Sequence, residues 1–319
     1  MPLRFTLRQL EYFVAVGEAG SIALAAERVH VSSPSISTAI GQLEAELGLS
    51  LFVRRHAQGL ALTQAGRQVM DQARQVLREA EALTRLASDV TGAVQGPLAL
   101  GCLLTFAQLV VPALRRGFEL RYPAVRMRQT ELNQQQIFEA LRSGVLDVAL
   151  TYDLELPEDL RFAPLATLPP YVLMPEAHPL AGRGSLTVED LADHPMVLLD
   201  LPLSADYFLS FFRAAGVKPM IAERTRDMAV MQSLVGNGFG YSIANSRPPN
   251  DLSPDGHRLC CVPLVGKVRP MVVGLLAAEG ADSVLTVRRF IEHCREVVGG
   301  EGLPGMSVRP TSPARPGEA

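Results

Sequence analysis

The chain has 319 residues, 48% of them hydrophobic and 20% charged, with a formal net charge of −3. That length exceeds one ordinary domain and can bury a sizeable core, while the near-neutral charge excludes a bulk basic field as the means of holding nucleic acid. No apolar run reaches the roughly 18 residues of a membrane helix, the start Met1-Pro2-Leu3-Arg4-Phe5-Thr6 has no apolar signal region, and four cysteines make no disulfide scaffold, so the expected location is the cytoplasm.

Residues 1–64 read as short helices. Leu7, Leu10, Phe13 and Val14 share one helical face, and Gly17 and Gly20 end that run. Ser21 can cap a second helix holding Leu24, Ala25 and Ala26. After the turn His30-Val31-Ser32-Ser33, a third helix carries Ile36, Ile40, Leu43 and Leu47, which step by 4, 3 and 4. Ser32 or Ser33 can cap it, Pro34 suits its first turn, and Gly48 suits its end. If the apolar set faces inward, then Ser33, Pro34, Ser37 and Thr38 face outward. In a helix-turn-helix such a third helix offers its N-terminal side chains to the major groove. The spacing fits an ordinary solvated polar turn equally well.

Residues 65–95 predict one long helix. Val69, Ala73, Val76, Ala80, Leu83, Ala87 and Val90 step by 4, 3, 4, 3, 4 and 3. That period of 3.5 is the mark of a seam against a partner helix rather than of a globular face. A helix packed on its own domain is the alternative. Gly92 and Gly96-Pro97 then mark a hinge.

Residues 96–300 alternate strand and helix. The first set is Pro97–Cys102, a helix starting at Thr105, Ala124–Glu131, helix Gln134–Ser143 and Leu146–Thr151. The second set has strands Tyr171–Met174, Leu186–Leu191 and Met196–Leu199, helix Tyr207–Ala215, strand Pro219–Arg224, helix Met228–Val235 and strand Tyr241–Ala244. The last strand is Met271–Leu276 and the last helix Leu285–Val298. This order predicts parallel sheets covered by helices in two α/β lobes. Residues 301–319, rich in Gly and Pro, are expected to be disordered.

Several residues of the first piece, in order and at matching spacing, resemble the LysR-type transcriptional regulators. They are Leu7-Arg8-Gln9-Leu10-Glu11-Tyr12-Phe13, Gly20-Ser21, Ala25-Ala26, Val31-Ser32, Ser37, Ile40, Leu43-Glu44, Leu47-Gly48, Leu51-Phe52, Arg54 and Leu62-Thr63-Gln64-Ala65-Gly66. Later features fit the same family: Tyr122-Pro123, Leu141-x-x-Gly144-x-Leu146-Asp147 and Val235-x-x-Gly238-x-Gly240.

The resemblance implies a chain that is α/β overall. It would start with an N-terminal all-α winged helix-turn-helix and a long linker (dimerisation) helix. A two-lobed α/β effector domain resembling type 2 periplasmic binding proteins would follow. It implies double-stranded DNA at promoter sites of interrupted dyad symmetry as partner. It further implies a small-molecule effector, a homodimer through the linker helix, and a homotetramer. The DNA-binding residues would be Ser32, Ser33, Pro34, Ser35, Ser37 and Thr38. Leu51–Leu62 resembles the family's β-wing, with Arg54 and Arg55 as cations followed by His56 and Gln58. Over residues 1–70 six arginines face five acids, so affinity must come from arrangement and pairing.

Two departures stand out. Family members often have Gln and Arg where Ser33 and Thr38 stand here, and serine lacks the bidentate fit of Gln to adenine. They often have Leu-Pro where Ala244-Asn245 stands.

In open parallel sheets a ligand cleft lies at the C-terminal strand ends. By topology Thr105, Asn133, Tyr152, Asp153, Asp200, Ser204 and Arg226 should ring it. Each is also a common cap or turn residue. Arg226 with Thr105 would suit an anion; Asp153 and Asp200 would suit a hydroxyl or amine.

No G-x-S-x-G, phosphate loop or H-E-x-x-H is present, and glycines 236, 238 and 240 follow a helix rather than a strand, so catalysis is not expected. No cofactor or metal is expected: His257, Cys260 and Cys261 cannot readily supply four zinc ligands from one loop. The alternatives are a thiol- or metal-responsive regulator of the same fold, with Cys260 and Cys261 as candidate thiols, or a small-molecule binding module without DNA function.

Overall fold

A computed structural model describes residues 4–55 and 59–306. The chain divides into two compact units, Met1–Val90 and Thr91–Ala319.

The first unit begins with α1 (Leu7–Ala19), opened by a reciprocal cap. Gln9 N donates to Thr6 Oγ1 at 3.2 Å, and Thr6 N donates to the Gln9 side chain at 2.8 Å. Gly20, at φ 64°, closes α1 in the left-handed conformation that side chains resist. Ser21 caps α2 (Ile22–Arg28), and Ser32 caps α3 (Ser33–Leu47). Strands β1 (Phe52–Arg55) and β2 (Gly59–Leu62) pair antiparallel, and α4 (Gln64–Thr91) follows.

Apolar residues at helical spacing meet in two clusters. Leu10, Phe13, Leu43, Leu51, Met70 and Ala73 form one; Val16, Ala25, Ala26, Ile36 and Ile40 belong to the other. Glu44 fixes where the hairpin starts, its Oε1 accepting from Leu51 N at 2.7 Å. Gly66 is required at the foot of α4, because a Cβ there would lie 2.1 Å from the Leu51 carbonyl oxygen.

In the second unit, β3 (Gly96–Cys102), α5 (Leu104–Leu109), α6 (Val111–Arg121), β4 (Val125–Glu131), α7 (Gln134–Arg142), β5 (Val148–Tyr152) and β6 (Leu160–Leu168) build most of one lobe. The other lobe holds β7 (Tyr171–Pro175), β8 (Pro195–Leu199), α8 (Ser204–Ala215), β9 (Met220–Thr225), α9 (Met228–Gly236), β10 (Ser242–Ala244) and β11 (Leu259–Pro263). The chain then returns as β12 (Met271–Ala278) and ends in α10 (Leu285–Glu301).

The first sheet runs β4-β3-β5-β12-β6. Strand β3 is parallel to β4 and β5, and β12 is antiparallel to β5 and β6. In the second lobe β10-β7-β11 is antiparallel and β8-β9 parallel, with a bridge from Met196 to Tyr241 joining the two. Gly240 makes that bridge possible. A Cβ there would lie 2.2 Å from the Pro195 carbonyl oxygen. One apolar cluster runs from Leu98 and Phe118 through Phe212 to Tyr241. The chain crosses between lobes twice, at residues 169–170 and 264–270.

Four expectations differ from the fold. The sheets are not parallel throughout: β10-β7-β11 is antiparallel, and β12 returns antiparallel to β5 and β6 after the chain has built the other lobe. Leu186–Leu191 is not a strand. Leu186 makes a single bridge to Leu264, and Asp190 then turns the chain by accepting from Thr187 N at 2.9 Å. Its apolar residues Val188 and Leu191 are buried as core plugs instead. Strands β6 and β11 carry no clean alternation. Strand β6 contains Pro164, which the edge of a sheet tolerates, and β11 hides in the Cys260-Cys261 pair. The chain remains packed past residue 301: Leu303 and Met306 are buried in the main cluster. Residues 307–319, most of the expected disordered tail, lie outside the described residues.

Candidate functional site

Helix α3 buries Ile36, Ala39, Ile40 and Leu43, which turns the intervening positions outward. Pro34, Ser35, Ser37 and Thr38 are exposed and Ser33 is half-buried. Ser32 accepts from Ser35 N at 3.3 Å, and its hydroxyl shares a 2.7 Å bond with that of Ser35. Two of the five serine and threonine candidates, Ser32 and Ser35, are thus engaged in capping. Ser37 and Thr38 make no hydrogen bond to another described side chain. The positive end of the α3 dipole and a row of small hydroxyls therefore share one exposed face, an arrangement that suits phosphate and base edges.

Arg54 and Arg55 stand in β1, Arg54 opposite Leu60. His56 and Gln58 lie outside the described residues. On α4, Met70 and Ala73 pack into the unit's own core, whereas Val76 and Leu83 are 42% and 70% exposed. The seam is therefore divided: its first turn is covered from within the chain and its middle presents apolar surface to solvent.

In the second unit a cavity of about 250 Å³ lies between the lobes. Leu103, Leu132, Leu199, Leu201, Phe208 and Met271 give it apolar walls, and Thr105, Asn133, Tyr152, Ser204 and Arg226 also line it. The strand ends β3, β4 and β5 deliver Thr105, Asn133 and Tyr152. In the other lobe β8 and β9 deliver Ser204 and Arg226. Leu203, between Pro202 and Ser204, holds φ 66° and ψ −37°, a strained geometry for a branched residue and of the kind found at ligand clamps.

Most polar side chains here have protein partners. Asn133 Oδ1 caps α7, accepting from Gln136 N at 3.0 Å. Gln134 is buried: its Nε2 donates to the carbonyl oxygens of Tyr152 and Leu154 at 3.0 and 3.2 Å, and its Oε1 accepts from Thr151. The Tyr152 hydroxyl shares a hydrogen bond with Ser246 Oγ, and Tyr171 donates to the Ser246 carbonyl oxygen at 2.7 Å. Burial pushes the Tyr152 phenol well above the usual tyrosine range. The segment after β10 thereby ties both lobes. The charged side chains of the lining are Glu131 and Arg226.

Residues 7–67 match the family described as bacterial regulatory helix-turn-helix protein, lysR family, and residues 91–299 match the LysR substrate binding domain. The chain belongs to the LysR family of bacterial transcriptional regulators. The transcriptional dual regulator OxyR of Escherichia coli is 31% identical to this LysR-family chain, covering 74% of it and 78% of OxyR. HinK, a LysR-family regulator from Pseudomonas aeruginosa, is 34% identical with a TM-score of 0.62 over 92% of this chain and 98% of HinK. CbnR, solved in complex with its target DNA, is 25% identical with a TM-score of 0.67, over 92% of this chain and 99% of CbnR.

Five of the seven cleft residues expected from this regulator's sequence border one cavity. Asp153 and Asp200 do not. Asp153 is held by Arg269 at 2.6 Å and by Val272 N at 2.7 Å, and Asp200 is paired with Arg224 at 3.2 Å. Sequence reading missed Gln134, Phe208, Met228, Asn245, Ser246 and Met271, all in the lining. Only Asn245 left a trace, as the departure from Leu-Pro. The four cysteines are unpaired. Burial pushes the thiols of Cys102 and Cys261 up to about 12 and raises those of Cys260 and Cys294. Among the described residues no helix is long and apolar enough to cross a membrane.

Proposed function

We propose that this LysR-family protein is a cytoplasmic, sequence-specific DNA-binding regulator controlled by a small molecule held in the interlobe cleft. The exposed start of α3 carries the reading: Ser33, Pro34, Ser35, Ser37 and Thr38 enter the major groove, with Ser32 capping the helix against phosphate. Arg54 and Arg55 of the hairpin grip the neighbouring backbone. The exposed middle of α4 pairs two chains, so that two recognition helices meet two half-sites of an interrupted dyad, and further contacts join dimers into a tetramer. Thr105, Asn133, Tyr152, Ser204 and Arg226 border the effector. Asp153 and Asp200 act at the hinge and the outer rim through their arginine partners. The effector must prefer one lobe arrangement, because equal affinity for two arrangements shifts neither.

Relatives named as hydrogen peroxide-inducible genes activators, 30% identical to this chain, favour a second reading in which a thiol senses peroxide. That chemistry needs an accessible thiolate. The raised thiols of Cys102, Cys260, Cys261 and Cys294 favour the ligand reading instead.

Genome-wide footprinting of the purified protein, with and without metabolite extract, tests the proposal. Protection at a few promoters that shifts with extract is the expected result. Protection no better than on random DNA would remove the regulator reading.

A further inference from the structure

Two buried side-chain amides border the cleft, and they differ. Gln134 has every polar atom engaged with Thr151, Tyr152 and Leu154. Asn245, 6% exposed, has not. Its Nδ2 donates to the Leu168 carbonyl oxygen at 2.7 Å and to the Tyr207 hydroxyl at 3.1 Å. A carbonyl oxygen can only accept, so the amide orientation is fixed and Oδ1 is the acceptor left over. Among the described residues nothing donates to it. A buried acceptor without a donor is costly, and native structures rarely retain one without a use.

Both Nδ2 bonds lead toward the crossings between the lobes. Leu168 ends β6 at the first crossing. Tyr207 donates to the carbonyl oxygen of Arg269, which stands in the second crossing and pairs with Asp153 at 2.6 Å. Asn245 therefore touches the cleft on one side and both crossings on the other.

Building on the cleft as the effector site, we propose that the effector is a compact, mostly apolar molecule presenting an O–H or N–H donor, and that Asn245 Oδ1 accepts it. The walls supply the apolar part of the fit, and the cavity of about 250 Å³ is larger than an apolar protein cavity of roughly 150 Å³ that suffices to bind benzene. Oδ1 is shielded from solvent, so a donor that reaches it displaces lining side chains as it seats. Binding and rearrangement are then one event, felt at both crossings through the Nδ2 bonds. An effector lacking the donor fills the apolar walls without satisfying Oδ1, and the site discriminates against it.

The test uses the full chain labelled at methionine methyl groups, because Met228 and Met271 both line the cleft and report ligand entry by NMR. Phenol and anisole at millimolar concentration are the matched probes; they differ in a donor hydrogen replaced by methyl. The expected result is that both shift the Met228 and Met271 signals, with phenol binding about tenfold tighter, and that Asn245→Leu abolishes the preference. Equal affinities in the wild-type protein overturn the donor proposal and leave the cleft reading standing. Failure of both probes to move either methyl overturns both. The wild-type comparison needs no variant, so poor folding of Asn245→Leu would not blunt the test.

Discussion

In the first unit the polar residues that matter stand outside a finished framework, whereas in the second they are part of the framework. Ser37 and Thr38 are exposed on a helix whose fold is secured by Ile36, Ile40 and Leu43 beneath them. Asn133, Gln134 and Tyr152 border the cleft while capping α7, bracing β5 and tying Ser246 across the lobes. A surface that reads DNA can be changed with little effect on its own stability. A cleft built from structural polar groups cannot, and that coupling lets occupancy of the cleft alter the shape around it.

The largest expected effect breaks the first unit from below rather than at its face. Gly66→Ala places a methyl 2.1 Å from the Leu51 carbonyl oxygen, which is backbone and cannot step aside. We expect a loss of roughly 3 kcal/mol in the unfolding free energy of the first unit, of the order seen for overpacked or strained sites. Thermal unfolding monitored in that unit would check it; an unchanged midpoint would show that the hairpin base is loose. Next comes Leu83→Asp on the exposed part of α4. A carboxylate on an apolar seam should weaken chain pairing by at least about a hundredfold, consistent with roughly 3 kcal/mol for burying an unpaired charge. Sedimentation at the wild-type mass would refute pairing through that face.

How legible each unit was follows from the same contrast. Helices α1 to α4 were readable because their signals are local: Ser21 and Ser32 at starts, Gly20 and Gly48 at ends, apolar steps of 3 and 4 between. The order of elements along the second unit was readable for the same reason. Its return strand was readable as a strand but not as antiparallel, since β12 pairs with β5 and β6 only after the chain has built another lobe. Thr105, Asn133 and Ser204 were found because they follow strands. Asn245 and Ser246 were not, because their importance lies in partners 77 and 94 residues away. Asp153 and Asp200 were over-read: local grammar placed them at strand ends without revealing Arg269 and Arg224.

Smaller effects sharpen the picture of the DNA face. Ser37→Ala should lower affinity for a specific site by about fivefold, the effect of one lost hydrogen bond of roughly 1 kcal/mol, with little change on random DNA. Equal losses on both DNAs in a gel-shift series would assign Ser37 to the backbone rather than to bases. Arg54→Ala should weaken binding on all sequences and reduce the salt slope by about 1. A slope that stays put would take Arg54 off the phosphates.

The smallest expected effect concerns the thiols, and it separates ligand control from redox control. Cys102 and Cys261 sit near 12 because burial disfavours the thiolate. At neutral pH their thiolate fraction is about a thousandth of that of a free cysteine. Cys260 is half-buried, and its thiol donates to the Ala181 carbonyl oxygen at 3.3 Å. Alkylation of the folded protein at pH 7 should therefore be slow, with Cys260 reacting first. The same shifts set an alkaline limit. The folded values of Cys102 and Cys261 lie above the unfolded value of 9.0, so their contribution to stability is full below that pH and is lost as the pH rises toward about 12. Mass spectrometry after brief peroxide treatment is the direct check. Unmodified cysteines and unchanged DNA binding are expected of a regulator whose signal enters through the cleft. Fast oxidation of one thiol, with a change in DNA binding, would move the point of control from the cavity to that cysteine.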